Sequence, residues 1–215
     1  MWVLKFEIDG SESLFGKIAK KFNINLTGYP ISSYEKDKQL FVNIVATLSG
    51  EEKNKKKLIA FIKKDKHILN LEEKDNFLVL LVKEDYSFKP FYNPHFVHIN
   101  PVLVDKEGKY LLHIASWDRK KIEQLINFAS KIYRYKLIKI KQEKIENISL
   151  IGLQPNLTQK QKRVYELAVE SGYYEYPKKI TLDKLAKISN LSYSTFQQHL
   201  KYAEKKINNF FLGKY

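Results

Sequence analysis

Ser192-Tyr-Ser-Thr-Phe-Gln-Gln-His-Leu-Lys201 combines hydroxyls, two adjacent amides and a lysine in one short run, with Lys205 just beyond. A glutamine side chain can pair bidentately with N6 and N7 of adenine, so Gln197 and Gln198 are candidates to read base edges. Projected at about 100° per residue, Phe196, Leu200, Ala203 and Ile207 fall on one helical face. Ser194, Gln198, Lys201 and Lys205 fall on the opposite face, flanked by Tyr193, Thr195 and Gln197. First-turn residues of such a helix meet bases, and later basic residues meet phosphate.

The surrounding residues predict how that helix is held. Thr158-Gln-Lys-Gln161 has the spacing of a capping box, in which the Thr hydroxyl and the Gln side chain satisfy each other's backbone amides. The helix it starts should run to about Ser171, with Val164, Leu167 and Ala168 inward and Gly172 at the left-handed C-terminal position. Thr181 should cap a second helix, with Leu182, Leu185 and Ala186 inward. Asn190 stands in the following turn, where asparagine tolerates positive φ. Ser192 should cap the helix that carries the glutamines. This is a helix-turn-helix, and it implies double-stranded DNA as partner. Arg163, Lys178, Lys179, Lys201 and Lys205 are the candidate phosphate contacts, and Tyr193, Ser194, Thr195, Gln197 and Gln198 the candidate base contacts.

Leu157-Thr-Gln-Lys-Gln-Lys-Arg-Val-Tyr-Glu-Leu-Ala168, Gly172-Tyr-Tyr-Glu-Tyr-Pro177, Ile180-Thr-Leu-Asp-Lys-Leu-Ala186 and Leu191-Ser-Tyr-Ser-Thr-Phe-Gln-Gln-His-Leu-Lys201 resemble the bacterio-opsin activator type helix-turn-helix family of archaeal regulators. The resemblance covers about residues 157–210. It implies an archaeal transcription regulator with a DNA-binding unit like region four of sigma factors. Ser189 and Asn190 depart from the family's Leu and Gly, and Ile188 is expected to supply the lost apolar contact through a small rotation of the second helix.

The whole chain is basic: 38 Lys and Arg against 24 Asp and Glu in 215 residues, a formal charge of +14. Such an excess suits a polyanion, with counterion release supplying affinity. The absence of cysteine excludes disulfides, Cys-based zinc sites and thiol catalysis. No run approaches the roughly 20 apolar residues of a membrane span, and the N-terminus reads as a strand, so a cytoplasmic protein is expected.

Upstream of the helix-turn-helix, hydrophobic spacing predicts strands at 2–8, 26–35, 40–48 and 67–72 and helices at about 14–22 and 51–64. This β-α-β-β-α-β order is ferredoxin-like. Residues 77–82 read as a strand buried on both faces. A loop with Pro90 and Pro94, a hairpin of Phe96–Val104 with Tyr110–Trp117, a helix at 118–134 and a strand at 135–147 read as a degenerate second copy. The expected fold is α+β: ferredoxin-like units at 1–74 and 75–150, sharing a sheet or packing sheet to sheet, then an all-α domain at 156–215. The boundary is placed at 148–156, where Gly152 and Pro155 fall. Paired units of this kind resemble ACT-like modules, which implies dimerisation or binding of a small-molecule effector. A homodimer would lengthen the DNA site.

Three further readings follow from the residues. A hairpin pairing Val104 with Lys109 would bring His98, Asn100 and His113 to one face, with His95 nearby, as a low-ranked ligand or metal cluster. Solvent-facing or hydrogen-bonded strand histidines are the commoner arrangement, and no metal or cofactor is assigned. An RNA-binding sheet face would use Phe41, Phe96 and Tyr110 for stacking. An adaptor that meets the transcription machinery without reading bases is the third. Motifs for nucleophilic or metal-dependent hydrolysis are missing, so an enzyme is not expected.

Overall fold

A computed structural model describes residues 1–74, 76–148 and 157–212. The chain is mixed α/β, sheet-rich at first and helical at the end. Residues 1–152 form one compact unit and residues 153–215 a second. Most of the 148–156 boundary segment lies outside the described residues.

In the first unit the strands are β1 (Trp2–Asp9), β2 (Asn25–Lys36), β3 (Gln39–Ser49), β4 (Ile68–Lys74), β5 (Phe77–Glu84), β6 (Val97–His98), β7 (Val102–Val104), β8 (Lys109–Ser116) and β9 (Tyr135–Gln142). The helices are α1 (Leu14–Phe22), α2 (Glu52–Ile62) and α3 (Arg119–Ile132), with a 3-10 helix at Tyr86–Tyr92. All described strands join one sheet in the order β4-β5-β3-β2-β7-β8-β1-β9, with β6 paired to β8. The sheet is therefore continuous, joined at its middle by β2 and β7 through Leu26↔Val104, Thr27↔Leu103 and Gly28↔Val102.

The two halves are alike in order, but each contains the other's opening strand. Closed on itself, the segment 1–74 would hold β1 between β4 and β3. That place is filled by β5, and β1 lies instead between β9 and β8. The cause is local. Only two residues of sequence separate β4 from β5, and the two strands pair antiparallel as far as Lys74↔Phe77. A strand tied that closely to β4 takes the position beside it and displaces β1. The boundary expected between residues 74 and 75 falls between these two strands.

The helices cover one face. Ile18 and Ala19 of α1 and Leu58 and Ile62 of α2 pack on Leu26, Leu48, Leu78, Leu80 and Val82. Ile122, Leu125 and Ala129 of α3 and Phe91 of the 3-10 helix pack on Leu4, Phe6, Ile8, Leu112 and Ile114. Phe6 is fully enclosed, 5.5 Å from the Tyr135 ring. The segment expected as a loop around Pro90 is thus a short helix, and it occupies the place a first helix would take. Strand β5 was expected to be buried on both faces. Leu78, Leu80 and Val82 are buried, but Val79 is 39 % exposed, because helices cover only one side.

The outer strands carry charge along their free edges: Glu72, Glu73 and Lys74 on β4, and Lys136, Lys139 and Lys141 on β9. Charged edge strands resist pairing with another sheet.

Candidate nucleic-acid interface

The second unit holds α4 (Gln159–Glu170), α5 (Leu182–Ile188) and α6 (Tyr193–Phe211). Each begins at a side-chain cap. Thr158 Oγ1 accepts from the Gln161 amide at 3.3 Å, and the Thr158 amide donates to Gln161 Oε1 at 3.0 Å, which completes the capping box. Gln161 is buried, and its Oε1 also accepts from Lys206 Nζ at 3.1 Å, tying α4 to α6. Thr181 caps α5 and Ser192 caps α6, the latter accepting from the Thr195 amide at 3.2 Å.

The turn between α5 and α6 is set by Asn190, at φ +57°. The Leu191 amide then donates to the Ala186 carbonyl at 3.0 Å, and Ala186 is buried beside Leu185, Phe196 and Leu200. Positive φ strains a residue with a branched Cβ. Asn190→Val is expected to lower the stability of this unit by about 1–2 kcal/mol, and Asn190→Gly to leave it nearly unchanged. Thermal melts of the two variants followed at α-helical wavelengths check this. Equal melting of both would remove the role assigned to the turn. Ile188 does not supply the compensating contact expected of it: it is 61 % exposed. Ser189 instead satisfies itself locally, donating to the Ala186 carbonyl at 2.9 Å.

The two faces of α6 separate as its spacing predicts. Phe196, Leu200 and Ala203 are buried, and Ile207 is half-buried. Tyr193, Ser194, Gln198, Lys201 and Lys205 are exposed, and Thr195 and Gln197 half-buried at the edge of that face. The hydroxyls of Ser194 and Thr195 lie 3.1 and 2.7 Å from Ser192 Oγ, so both are engaged in the cap. Tyr202, four residues past Gln198 and 50 % exposed, belongs to the same face. Helical spacing alone marks it; a search restricted to amides, hydroxyls and cations passes it over.

The basic candidates divide. Among the described residues Arg163, Lys201 and Lys205 make no salt bridge. Lys178 Nζ instead lies 4.3 Å from the Tyr173 ring centre, and Lys179 pairs with Glu175 at 2.5 Å. Both of those lysines belong to the loop between α4 and α5. Tyr174 fastens that loop to α6 by donating to Glu204 Oε1 at 2.6 Å. Burial, and then the Glu204 carboxylate, push the Tyr174 phenol up, so it stays a donor.

The histidine cluster does not form. Val97↔Ala115 and His98↔Ile114 pair β6 with β8, whereas Leu103↔Leu111 and Val104↔Tyr110 pair β7 with it. Val104 thus pairs with Tyr110 and not with Lys109, one residue off the expected register, and a one-residue shift turns every side chain to the other face. His98 therefore faces the helix-covered side, edge-on to Tyr29 with ring centres 6.2 Å apart. His113 faces the other side, where its Nδ1 meets Asn100 Oδ1 at 2.5 Å. His95 is exposed in the preceding turn. Among the described residues no group of His, Asp and Glu is placed to hold a metal.

Burial holds His98 well down, at about 4. In the unfolded chain a histidine titrates near 6.5, so the unfolded state binds the extra proton between those values. The stability this contributes is full above pH 6.5 and is lost as pH falls through 4, by up to about 3 kcal/mol. Burial raises Glu84, which acts in the opposite sense. Burial, then Lys5 and Lys139, also lower His113. Urea unfolding of the wild type and His98→Phe between pH 7 and 4.5 isolates the term. The variant should lose less stability on acidification, and parallel curves would count against a buried neutral His98.

A capped three-helix unit with an αL turn and an exposed polar face on its last helix is a helix-turn-helix. Residues 157–209 match the family model described as an HTH DNA binding domain, of the bacterio-opsin activator type. The match, confined to these residues, points to a DNA-binding transcription regulator. No curated protein matches the chain. Among the described residues no helix is long and apolar enough to cross a membrane.

Proposed function

We propose that the protein is a sequence-specific transcription regulator that binds double-stranded DNA as a homodimer. In this reading α6 enters the major groove. Gln197 and Gln198 read base edges with Tyr193, Ser194 and Thr195 beside them. Lys201, Lys205 and Arg163 meet phosphate, with Lys178 and Lys179 approaching from the loop once their present partners are exchanged. The region 1–148, read as two ferredoxin-like units with exchanged opening strands, holds the dimer, senses a small molecule, or does both. The observation that carries the proposal is the two-sided α6: a buried Phe196-Leu200-Ala203 stripe backs an exposed Gln198-Lys201-Lys205 stripe inside a segment matching a DNA-binding family.

Selection from random duplex DNA with the purified full chain tests it, followed by titration of the best site at several salt concentrations. A short inverted repeat, bound about 10³-fold or more above random DNA, is the expected result. Uniform, steeply salt-dependent binding without a motif would defeat it. The RNA-binding alternative is weakened by Tyr110, one of its three stacking rings, whose hydroxyl lies 2.6 Å from Ser13 Oγ in the helix-covered interior.

A further inference from the structure

Above the seam where β2 meets β7, the covered face of the sheet encloses a cavity of about 90 Å³. Its walls come from both halves: Ile18 and Leu58 from α1 and α2, Leu80 from β5, and Phe91, Val104 and Leu112 from the other side. Its floor is kept low by two small residues that pair across strands, Gly28 and Ala46. A Cβ on Gly28 would come within 2.8 Å of the Val45 carbonyl oxygen, so the backbone itself excludes a side chain there.

The polar groups on the wall are few. The Tyr29 and Tyr110 hydroxyls are occupied, by the Ile99 carbonyl and Ser13. Tyr92 donates to Glu84 Oε2 at 3.3 Å. His98 is different: its Nδ1 is buried and meets no hydrogen-bond partner. A buried polar atom left unmatched costs stability and calls for an explanation. Ile18, Glu84 and Phe88 also line an open groove of about 860 Å³, so only these side chains stand between the cavity and the groove on that side.

We propose that this cavity binds a small neutral molecule with a short branched aliphatic skeleton and one hydrogen-bonding group, which His98 receives. The proposal names the ligand class for the sensing role in the function proposed above, and rests on that reading for its purpose. Size sets the first limit. A dry cavity of about 150 Å³ holds the six heavy atoms of benzene, so this one takes about four. The apolar walls set the second, favouring a hydrocarbon body. Charge sets the third. An anion would meet the Glu84 carboxyl in an apolar enclosure, which burial alone makes unfavourable for charge. Burial keeps His98 uncharged at neutral pH, so it offers one donor and one acceptor rather than a cation.

The test titrates the full chain with 2-propanol and, separately, with acetate, each of four heavy atoms, following methyl resonances of Leu58, Leu78 and Leu80 by NMR. 2-Propanol should shift them saturably, and acetate should not at the same concentrations. Ala46→Leu fills the cavity and should abolish the response. His98→Leu should weaken 2-propanol binding by about three- to tenfold while leaving the apolar space. Should Ala46→Leu fail to fold, the comparison of wild type with His98→Leu decides. Linear, unsaturable shifts, an undiminished response in the folded Ala46→Leu variant, or equal affinity in His98→Leu would overturn the proposal. DNA selection on the same preparation separates the two readings. Selected DNA without saturable 2-propanol binding defeats the cavity proposal alone. Saturable 2-propanol binding without selection leaves the cavity and defeats the regulator.

Discussion

Residues 1–74 and 75–148, produced as separate polypeptides, should each remain unfolded alone and fold when mixed. The first piece lacks β5, the strand between its β4 and β3. The second lacks β1, the strand between its β9 and β8. Without β1 the second half loses Leu4, Phe6 and Ile8, all but fully buried against Leu112, Ile114 and Ile122. Removing a single buried side chain of this size costs about 2–5 kcal/mol. A domain has only about 5–15 kcal/mol in total, so the loss of three exceeds what the half can spare. Proton–nitrogen correlation spectra of each piece and of the mixture check this. A well-dispersed spectrum from either piece alone would show that the half closes with its own strand. In the intact chain, Phe6→Ala should by itself lower stability by about 3–5 kcal/mol, read from urea unfolding.

Replacing Gln197 and Gln198 together by alanine should remove sequence discrimination while leaving general DNA affinity. Gln198 is exposed on α6 and Gln197 half-buried at the edge of the same face, and neither belongs to the Phe196–Leu200 cluster, so truncation leaves that packing in place. A good bidentate pair is worth about 1–3 kcal/mol of discrimination. With both pairs lost, the double variant should bind the selected site some 30- to 10⁴-fold more weakly, with random DNA unaffected. Lys201→Ala and Lys205→Ala should behave in the opposite way. Each should weaken all sequences alike and reduce the salt slope by about one. Binding titrations of selected and scrambled duplexes at two salt concentrations separate the patterns. Unchanged discrimination in the glutamine variant would move recognition off this helix and favour the adaptor reading.

The contrast between the two units shows what a single sequence makes legible. Thr158, Thr181, Asn190 and Ser192 each act on backbone within four residues, so the caps and turn of the C-terminal unit are written locally. Strand positions upstream are likewise local, and the observed β2, β3 and β8 fall within one or two residues of expectation. Partner choice is not local. Alternation in Trp2–Ile8 marks a buried face but does not say which strands lie beside it. The one short-range clue was the two-residue connection between β4 and β5, whose hairpin decides the exchange. Reading residue 75 as the start of a repeat concealed that clue. The histidine faces failed for a related reason. The turn at residues 105–108 pairs Val104 with Tyr110, one residue beyond the expected Lys109, and that single step puts His98 and His113 on opposite faces. Net charge was less specific than it looked: residues 157–212 hold ten Lys and Arg and five Asp and Glu, so most of the +14 lies elsewhere.

The exchanged strands also set a timetable for synthesis. Leu4 pairs with Ile114, and Lys5 with Lys139 beyond it. At about 5–20 residues per second, β1 waits on the order of ten seconds on the ribosome before its partners emerge. Through that interval Trp2, Leu4, Phe6 and Ile8 have no sheet to join, and exposed apolar strands of this kind are what chaperones hold. Pairing over so long a sequence separation is slow in its own right, because loop closure precedes the contacts that reward it. The N-terminal unit is thus assembled late and all at once, with the helix-turn-helix segment following from the ribosome only a few seconds behind.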